Sequence, residues 1–267
     1  MRIAVIADIH GNRQALEAII ENLTRQDVDE VVVAGDTVNM MPDSRCCWQM
    51  VRAFTKNMLK GNHEFLTHDF QKLRAEDPVY SSDRFAPLRT CVAQFSVEDL
   101  DQMRALPVTL HYPDLLLTHA TPRNLFESIG EDTSLEQLRE MFADSSEPWI
   151  VRGHNHVWLE KKFDHRVVTT LGSAGIPLDG DTRTRYAILT RMEKSWVLEE
   201  RLLNYDHAGL LAQMNDDYLE SHGGLGLIVR HEIVTAEHHL YPFFQQYLAA
   251  VDAGELSLWD AAQKYLA

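Results

Sequence analysis

The chain has 267 residues, of which 45% are hydrophobic, so it can bury the core of one large domain, with or without a small appendage. Its formal net charge of -15 opposes non-specific attraction to nucleic acid or to an anionic membrane. The cysteines Cys46, Cys47 and Cys91 lack the spacing of a disulfide framework or a structural zinc site, which indicates a reducing compartment. No signal peptide and no apolar run of about 18 residues is recognisable, and we therefore expect a cytoplasmic protein.

Three strand and helix units follow one another at the start of the chain. Residues 2–7 form a short apolar run typical of a strand buried on both faces, and helical periodicity follows over 16–23. The second unit has a strand at 30–34 and a helix at 48–54, and a third short strand covers 57–60. This rhythm predicts an α/β fold with a parallel sheet.

Polar residues follow each of these three strands. Asp8 and His10 come after the first strand, Asp36 after the second, and Asn62 and His63 after the third. The carboxyl ends of parallel strands lie along one edge of a sheet, where open α/β folds bind their ligands. We therefore expect the five side chains to converge on one site.

Two later strand ends carry histidines. Residues 108–118 are predicted to form a hairpin whose second strand ends at His119, and a strand at 149–152 is followed by His154 and His156. These three imidazoles are further candidates for the same site.

Helices are predicted between and around these strands. The segment 65–106 is interpreted as helical and as a wall of the site. Within it, Ser96 followed by Asp99 is typical of a helix N-terminus, and Thr133 followed by Glu136 predicts a second capping box.

The composition changes near residue 204. Four apolar or alternating runs over 157–203 are consistent with a second, antiparallel sheet, whereas 204–267 shows helical periodicity. We predict a domain at 1–203 and a helical extension at 204–267, which is a cap over the site, a packing extension or a dimer contact. The His and Glu residues at 231–239 are interpreted as a solvated helix face or a helix cap, and a homo-oligomer is compatible with the sequence.

The inventory of candidate ligands has oxygen and nitrogen donors but no sulfur. Such a set suits borderline divalent ions, and seven ligands exceed the need of one ion. We expect two divalent ions, with manganese favoured and iron, zinc, nickel or magnesium as alternatives. Asp36, in the middle of the set, is the natural bridge between them. The seven candidate ligands are Asp8, His10, Asp36, Asn62, His119, His154 and His156.

The order of these motifs resembles that of the calcineurin-like metallophosphoesterases. The resemblance covers residues 8–156 and is carried by Asp8-x-His10, Gly35-Asp36, Gly61-Asn62-His63-Glu64, His119 and Gly153-His154-x-His156. It implies a four-layer αββα sandwich, with helices outside two facing sheets. It also implies one metal ion held by Asp8, His10, Asp36 and His156, and a second held by Asp36, Asn62, His119 and His154.

The resemblance assigns His63 to catalysis rather than to metal binding. In the expected reaction a metal-bridging hydroxide attacks phosphorus, and His63 donates a proton to the leaving oxygen. Asn12, Asn39 and Arg123 are candidate substrate-binding residues. Lys60 and Arg152 flank the motifs and are further candidates for holding phosphate.

One departure from the protein phosphatases of this superfamily narrows the expected function. Those enzymes have an Asp that pairs with the catalytic His, followed by an Arg that holds phosphate, whereas this chain has Asn39 and Met40. We therefore expect a phosphodiesterase acting on small or nucleotide-like esters. The alternatives are a phosphomonoesterase or protein phosphatase of the same fold, and a non-catalytic metal-binding scaffold.

Overall fold

Two five-stranded sheets build the centre of the molecule, as seen in a computed structural model that describes residues 1–74, 76–193 and 195–267. The first sheet has the strand order β10-β9-β1-β2-β3, and the second has the order β4-β5-β6-β8-β7. The strands are β1 (Arg2–Ile6), β2 (Glu30–Val33), β3 (Asn57–Met58), β4 (Thr109–Tyr112), β5 (Leu115–Thr118), β6 (Trp149–Arg152), β7 (Leu159–Phe163), β8 (Arg166–Thr170), β9 (Thr184–Arg191) and β10 (Trp196–Leu203).

Alternation along β1 explains how the two sheets pack. Ile3 and Val5 join the apolar layer between the sheets, whereas Ala4 and Ile6 face the helices on the outer side. All four side chains are completely buried. Because both faces of β1 are covered, its sequence is a continuous apolar run rather than an alternating one.

Helices complete the outer layers. The helices are α1 (Arg13–Leu23), α2 (Ser44–Phe54), α3 (Asn62–Phe70), α4 (Pro78–Ser81), α5 (Ala86–Val92), α6 (Val97–Ala105), α7 (Leu135–Met141), α8 (His207–Gln213), α9 (Asp216–Thr235), α10 (Leu240–Asp252) and α11 (Leu258–Leu266), with a short 3-10 helix at Asp83–Phe85. Apolar side chains of α1 and α2 pack on the first sheet, and Leu138 and Phe142 pack on the second. The predicted αββα sandwich is confirmed.

The prediction that residues 157–203 form a separate antiparallel sheet is wrong. The four predicted strands exist, but β7 and β8 belong to the second sheet, whereas β9 and β10 extend the first. Strand β9 runs antiparallel to β1, with Ala4 opposite Ile188. The local pattern identifies a strand, but the neighbouring edge that it covers is decided by long-range packing.

One predicted capping box is displaced by one residue. Ser96 and Asp99 cap α6 as expected, but α7 is capped by Ser134 and Gln137 rather than by Thr133 and Glu136. The Ser134 hydroxyl accepts the N–H of Gln137 at 3.2 Å. Both pairs fit the pattern of a small hydroxyl residue followed three positions later by an acidic or amide residue, so sequence alone does not separate them.

The C-terminal cap, defined as residues 207–267, packs against loops of the sandwich. Leu210, Met214 and Tyr218 form an apolar cluster with Met41 and Ile176. The Tyr218 hydroxyl also donates to the Met40 carbonyl at 2.9 Å. The cap is thus fixed to the loops that follow β2 and β8.

None of the described helices is both long and apolar enough to cross a membrane. Cys46, Cys47 and Cys91 are free thiols. The division of the chain near residue 204, the cytoplasmic location and the possible homo-oligomer stay predictions.

Candidate metal centre

The ends of the first sheet bring three groups of polar residues together. Asp8 lies just beyond β1, Asp36 lies beyond β2, and Asn62 begins α3 after the short strand β3. All three are buried. The parallel pairing of β1, β2 and β3 places these loops side by side, as the sequence predicts.

The second sheet delivers its histidines to the same place. His119 follows β5, and His154 and His156 follow β6. The N–H of His154 donates to the Asp8 carboxylate at 3.0 Å, which joins the two sheets across the site. The Gly153 N–H donates to the His119 carbonyl at 2.9 Å and holds the two loops of the second sheet together.

The donor atoms form three overlapping groups. Within each group, the possible metal-binding atoms all lie within 4.8 Å of one another. Asp36 belongs to two of these groups, and its Oδ2 lies 3.3 Å from Nε2 of His119 and 3.7 Å from Nε2 of His10. The groups are Asp8 with His10 and His156, His10 with Asp36 and His63, and Asp36 with His119 and His154.

Hydrogen bonds from the outer ring nitrogens orient two of the imidazoles. Nδ1 of His119 lies 2.9 Å from the Ala34 carbonyl, and Nδ1 of His156 lies 2.9 Å from the Ile176 carbonyl. Each of these Nδ1 atoms must donate, which turns Nε2 of each ring toward the site, where its lone pair can bind a metal ion once that nitrogen is unprotonated.

The amide oxygen of Asn62 completes the inner edge of the site. Asn62 Oδ1 lies 2.8 Å from Nε2 of His119 and 2.9 Å from Nδ1 of His154. An oxygen surrounded by ring nitrogens in this way adds a neutral donor to the cluster. Two carboxylates, four imidazoles and one amide therefore face a common space, and this donor set fits borderline divalent ions.

Burial keeps two of the histidines neutral. It lowers the pKa of His154 to about 3 and the pKa of His156 to about 4. Neutral imidazole is the form that binds a metal ion, so these two side chains are ready to coordinate at neutral pH.

The two carboxyl groups of the site respond differently to the same burial. Burial and the neighbouring Asp36 raise the pKa of Asp8 to about 7. Burial also opposes ionisation of Asp36, but the charges of His119 and His63 outweigh it and hold the pKa of Asp36 well below its usual range. Asp36 is thus the carboxyl group whose ionised form is favoured by the neighbouring histidines.

Five of the candidate ligands have a left-handed backbone conformation. Left-handed residues other than glycine are uncommon, and Asp, Asn and His tolerate this region better than most. The positive φ angles are 59° at Asp8, 52° at His10, 54° at Asp36, 77° at His154 and 63° at His156. The loops of the sandwich therefore aim these side chains at some cost in backbone energy.

Glu64 has a positioning role that the sequence analysis did not assign. Its buried carboxylate accepts the N–H groups of Asp36 at 2.9 Å, Thr37 at 2.7 Å and Gly61 at 2.8 Å. A Cβ on Gly61 would lie 2.1 Å from Oδ1 of Asp36, so only glycine allows this approach. The signal was present, because a Glu at the third position of a helix reaches back to the preceding N–H.

His63 lies at the side of the cluster and pairs with Asn39. The Asn39 amide nitrogen is 2.8 Å from Nδ1 of His63, and Nε2 of His63 is 3.9 Å from Oδ2 of Asp36. The His63 ring also meets the His10 ring edge to face, with 4.6 Å between their centroids. Burial lowers the pKa of His63, against the opposing charge of Asp36.

Most of the residues predicted to hold substrate are engaged elsewhere. Asn12 is buried and caps α1, since its oxygen accepts the Ala15 N–H at 3.0 Å while its nitrogen donates to the Gly175 carbonyl at 2.9 Å. Arg123 pairs with Glu127 and Glu140. Neither Asn12 nor Arg123 lines the cavity over the cluster, and of the three candidate substrate-binding residues only Asn39 contacts His63.

Neither of the two flanking cations, Lys60 and Arg152, lines the cavity over the cluster. Arg152 is fully buried and donates to the carbonyls of Ala120 and Glu127, both at 2.7 Å, so it fixes the loops that follow β5 and β6. The interpretation of Arg152 as a phosphate-binding residue is wrong, because its guanidinium is buried and hydrogen-bonded to the carbonyls of Ala120 and Glu127.

A cavity of about 310 Å³ opens over the cluster. Its floor carries the polar side chains of the site, and its wall includes side chains of the C-terminal cap. Among the described residues that line it, none is Lys or Arg. The wall consists of Met40, Ser128, Asn155, Ile176, Leu178, Val229, Glu232, His238, Leu240, Tyr241 and Phe244, and the floor of His10, Asp36, Asn62, His63, His154 and His156.

Solved structures and one further sequence are similar to this chain. A metallophosphoesterase from Sphaerobacter thermophilus is 25% identical, with a TM-score of 0.71 over 88% of this chain and 99% of that one. The hypothetical protein PH1004 from Pyrococcus horikoshii OT3 shares the fold at 16% identity, with a TM-score of 0.66 over 89% and 98% of the two chains. The uncharacterized protein MJ0912 from Methanocaldococcus jannaschii is 23% identical over 223 residues, which are 76% of this chain and 88% of that protein.

A family model matches the part of the chain that carries the cluster. The model describes the calcineurin-like phosphoesterases and covers residues 1–158, which include every candidate ligand. This match extends over more than half of the chain. The protein therefore belongs to the calcineurin-like phosphoesterases, a metal-dependent family of phosphoric ester hydrolases.

Proposed function

We propose that this protein is a binuclear metal-dependent phosphodiesterase for small or nucleotide-like phosphodiesters. The observation that carries the proposal is the charge of the cavity, which has no Lys or Arg among its described lining residues. A phosphomonoester carries nearly two negative charges at neutral pH, because its second pKa is about 6, whereas a phosphodiester carries one. A site without cationic side chains suits the diester.

The donor groups of the site divide naturally around Asp36. In the proposed arrangement, one ion is held by Asp8, His10, Asp36 and His156, and the second by Asp36, Asn62, His119 and His154. Manganese is the favoured metal, with iron, zinc, nickel or magnesium as alternatives. Bound divalent ions would supply an activated water and would neutralise charge on the phosphoryl oxygens.

His63 is proposed as the general acid. The leaving alcohol takes the P–O bonding electrons, and the proton from His63 Nε2 neutralises the resulting oxyanion. An imidazolium with both nitrogens protonated requires an acceptor at Nδ1, and the Asn39 oxygen serves this role when the amide is turned by 180°. Both amide orientations fit the separation of 2.8 Å between Asn39 and His63.

The test compares a diester with a monoester. Purified protein saturated with manganese should hydrolyse bis-p-nitrophenyl phosphate with a higher kcat/KM than p-nitrophenyl phosphate. His63→Ala should lower kcat on the diester by about 10²- to 10⁴-fold, because a general acid typically contributes this factor. The matched control is His165→Ala, which changes an exposed histidine in the turn between β7 and β8.

Each alternative function has its own outcome in this experiment. A higher kcat/KM on the monoester would replace the diesterase by a phosphomonoesterase. No hydrolysis of either ester, with His63→Ala and the unchanged protein indistinguishable, would favour a non-catalytic metal-binding scaffold. Metal content measured on the same samples separates an inactive scaffold from an enzyme that lacks its ions.

A further inference from the structure

The C-terminal cap supplies the wall of the cavity that faces a substrate's organic group. Three of its side chains, Val229, Leu240 and Phe244, make this wall largely apolar. The floor of the same cavity is the polar cluster at the strand ends. A diester placed with its phosphoryl group on the floor therefore has one alcohol group against the cap.

One carboxylate interrupts this apolar wall. The Glu232 side chain is only 4% exposed, and its Oε1 accepts the N–H of His239 at 2.8 Å and of Leu240 at 2.7 Å. This corrects the interpretation of Glu232 as part of a solvated face, although it does cap α10. Because both N–H groups bind the same oxygen, the carboxylate is held rigidly.

Two N–H groups at the N-terminus of α10 and, at longer range, His156 of the cluster face the charge of Glu232, but among the described residues no Lys or Arg forms an ion pair with it. Among the described residues, the nearest basic group is His238, whose Nδ1 lies 3.4 Å from Oε1 and whose side chain is half exposed. In the part of the chain that the structure describes, Oε2 has no hydrogen-bond donor of the protein. A buried carboxylate with no Lys or Arg beside it favours a ligand that brings positive charge.

Two aromatic side chains line the same cavity as this carboxylate. Tyr241 is 60% exposed at the mouth of the cavity. Phe244 is held by the Arg84 guanidinium, which lies 5.5 Å from the ring centroid and does not line the cavity. Aromatic rings attract cations through their π faces, so ring and carboxylate act in the same direction.

The size of the cavity limits the organic group. A volume of about 310 Å³ is at the lower end for small-molecule sites, which run from roughly 300 to 1,000 Å³. The phosphoryl group must share this space. The remainder suits a compact alcohol better than a nucleoside.

We propose that the C-terminal cap forms a subsite for a compact, positively charged alcohol group of a phosphodiester, with Glu232 selecting cationic over neutral or anionic groups. This inference rests on the proposed phosphodiesterase function. The substrate class is thus a diester of an amino alcohol, with an ammonium group against Glu232 and the rings of Tyr241 and Phe244.

A matched pair of substrates tests the charge alone. One is p-nitrophenylphosphorylcholine, and the other is its carbon isostere, 3,3-dimethylbutyl p-nitrophenyl phosphate, which has the same shape without the charge. The unchanged protein should prefer the choline ester by about tenfold in kcat/KM, which corresponds to about 1.4 kcal/mol. Glu232→Gln should bring this ratio close to one, since the amide oxygen still accepts the two N–H groups but the charge is gone.

Two further variants separate the subsite from a merely structural role of Glu232. Tyr241→Leu changes a side chain exposed enough for folding to survive, and should lower the ratio by roughly two- to fivefold, the usual value of an exposed cation–π contact. Glu237→Gln removes an exposed carboxylate from the segment between α9 and α10 and should leave the ratio unchanged. A ratio near one in the unchanged protein, or a ratio that Glu232→Gln does not alter, would falsify the cationic subsite.

A binding measurement keeps this test independent of catalysis. Tetramethylammonium should bind the unchanged protein in saturation-transfer NMR and bind Glu232→Gln more weakly. If bis-p-nitrophenyl phosphate is not hydrolysed while tetramethylammonium binding depends on Glu232, the proposed function fails and the subsite stands. If the diester is hydrolysed but the choline ester is not preferred to its neutral isostere, the cationic subsite fails and the enzyme stands.

Discussion

The strand-end cluster and the C-terminal cap meet at one cavity, but they are held by different forces. At the cluster, buried loops fix each side chain through backbone geometry and hydrogen bonds, as Glu64 does for the loop of Asp36. At the cap, helices are held mainly by apolar packing on the loops after β2 and β8. If the proposed function and the proposed subsite hold, we expect that reaction chemistry and substrate choice can be changed separately in this molecule.

Asp36→Asn should have the largest effect, because it damages the cluster and spares the cap. Asp36 belongs to two of the three donor groups. Asp36→Asn removes the negative charge that faces the imidazoles of both groups. We expect kcat to fall by about 10³-fold or more, equivalent to several kcal/mol of transition-state stabilisation. Metal content and kcat on bis-p-nitrophenyl phosphate are the measurements.

The control for this change is Asp144→Asn, which alters an exposed carboxylate in the segment between α7 and β6. It should retain both metal content and activity. Retention of more than a tenth of the activity by Asp36→Asn would contradict the central role given to this carboxylate.

Glu64→Ala should lower both the stability of the protein and its metal affinity, because Glu64 holds the loops that carry the candidate ligands. Three buried N–H groups would lose their acceptor, at about 1 kcal/mol or more each, so the free energy of unfolding should fall by about 3 kcal/mol. Metal affinity should also fall by roughly 10- to 100-fold, as expected when a group that orients ligands is removed. Chemical denaturation and metal titration measure the two effects.

Glu64→Gln keeps one acceptor oxygen and should lie between Glu64→Ala and the unchanged protein. Glu136→Ala, on the exposed face of α7, serves as the control. If Glu64→Ala unfolds at the same denaturant concentration as this control, the three hydrogen bonds do not carry the stability assigned to them.

Asn39→Asp should raise the pKa of His63 while leaving the candidate metal ligands in place, and it therefore tests His63 as the general acid. A carboxylate 2.8 Å from Nδ1 stabilises the imidazolium and should raise the pKa of His63 by at least about one unit. Because the general acid must be protonated, activity is lost as pH rises through this pKa, and the alkaline limb of the rate profile should move to higher pH. An unmoved limb would indicate that His63 does not donate the proton.

Gly223→Ala should have the smallest effect on chemistry and act on the cap alone. Gly223 breaks α9 with φ 61° and ψ -153°, a conformation that other residues adopt at a cost of about 1–3 kcal/mol. Hydrogen exchange should rise in the cap and stay unchanged in the sheets. Asp114→Ala, also at positive φ but in the turn between β4 and β5, should leave exchange in the cap unaltered.

Much of the sandwich could be predicted because its strands and their polar ends are local patterns. The sequence predicts the seven candidate ligands at strand ends, and the structure brings their donor atoms together, although their binding of metal stays a prediction. The sheet to which β9 and β10 belong was not predictable, since pairing with β1 depends on distant residues. The interpretation of Arg152 is wrong for a related reason, and sequence does not decide between a solvated face and a helix cap at Glu232, because burial and hydrogen-bond partners are set by the tertiary fold.

The left-handed backbone of the candidate ligands has a consequence for engineering. Glycine adopts this conformation without the Cβ clash, whereas other residues pay about 1 kcal/mol or more. At His156, with φ 63° and a side chain 13% exposed, glycine would relieve the strain while removing a candidate ligand. A screen that selects for thermal stability alone would therefore favour glycine at such positions. It would return a more stable protein that lacks part of its candidate metal site.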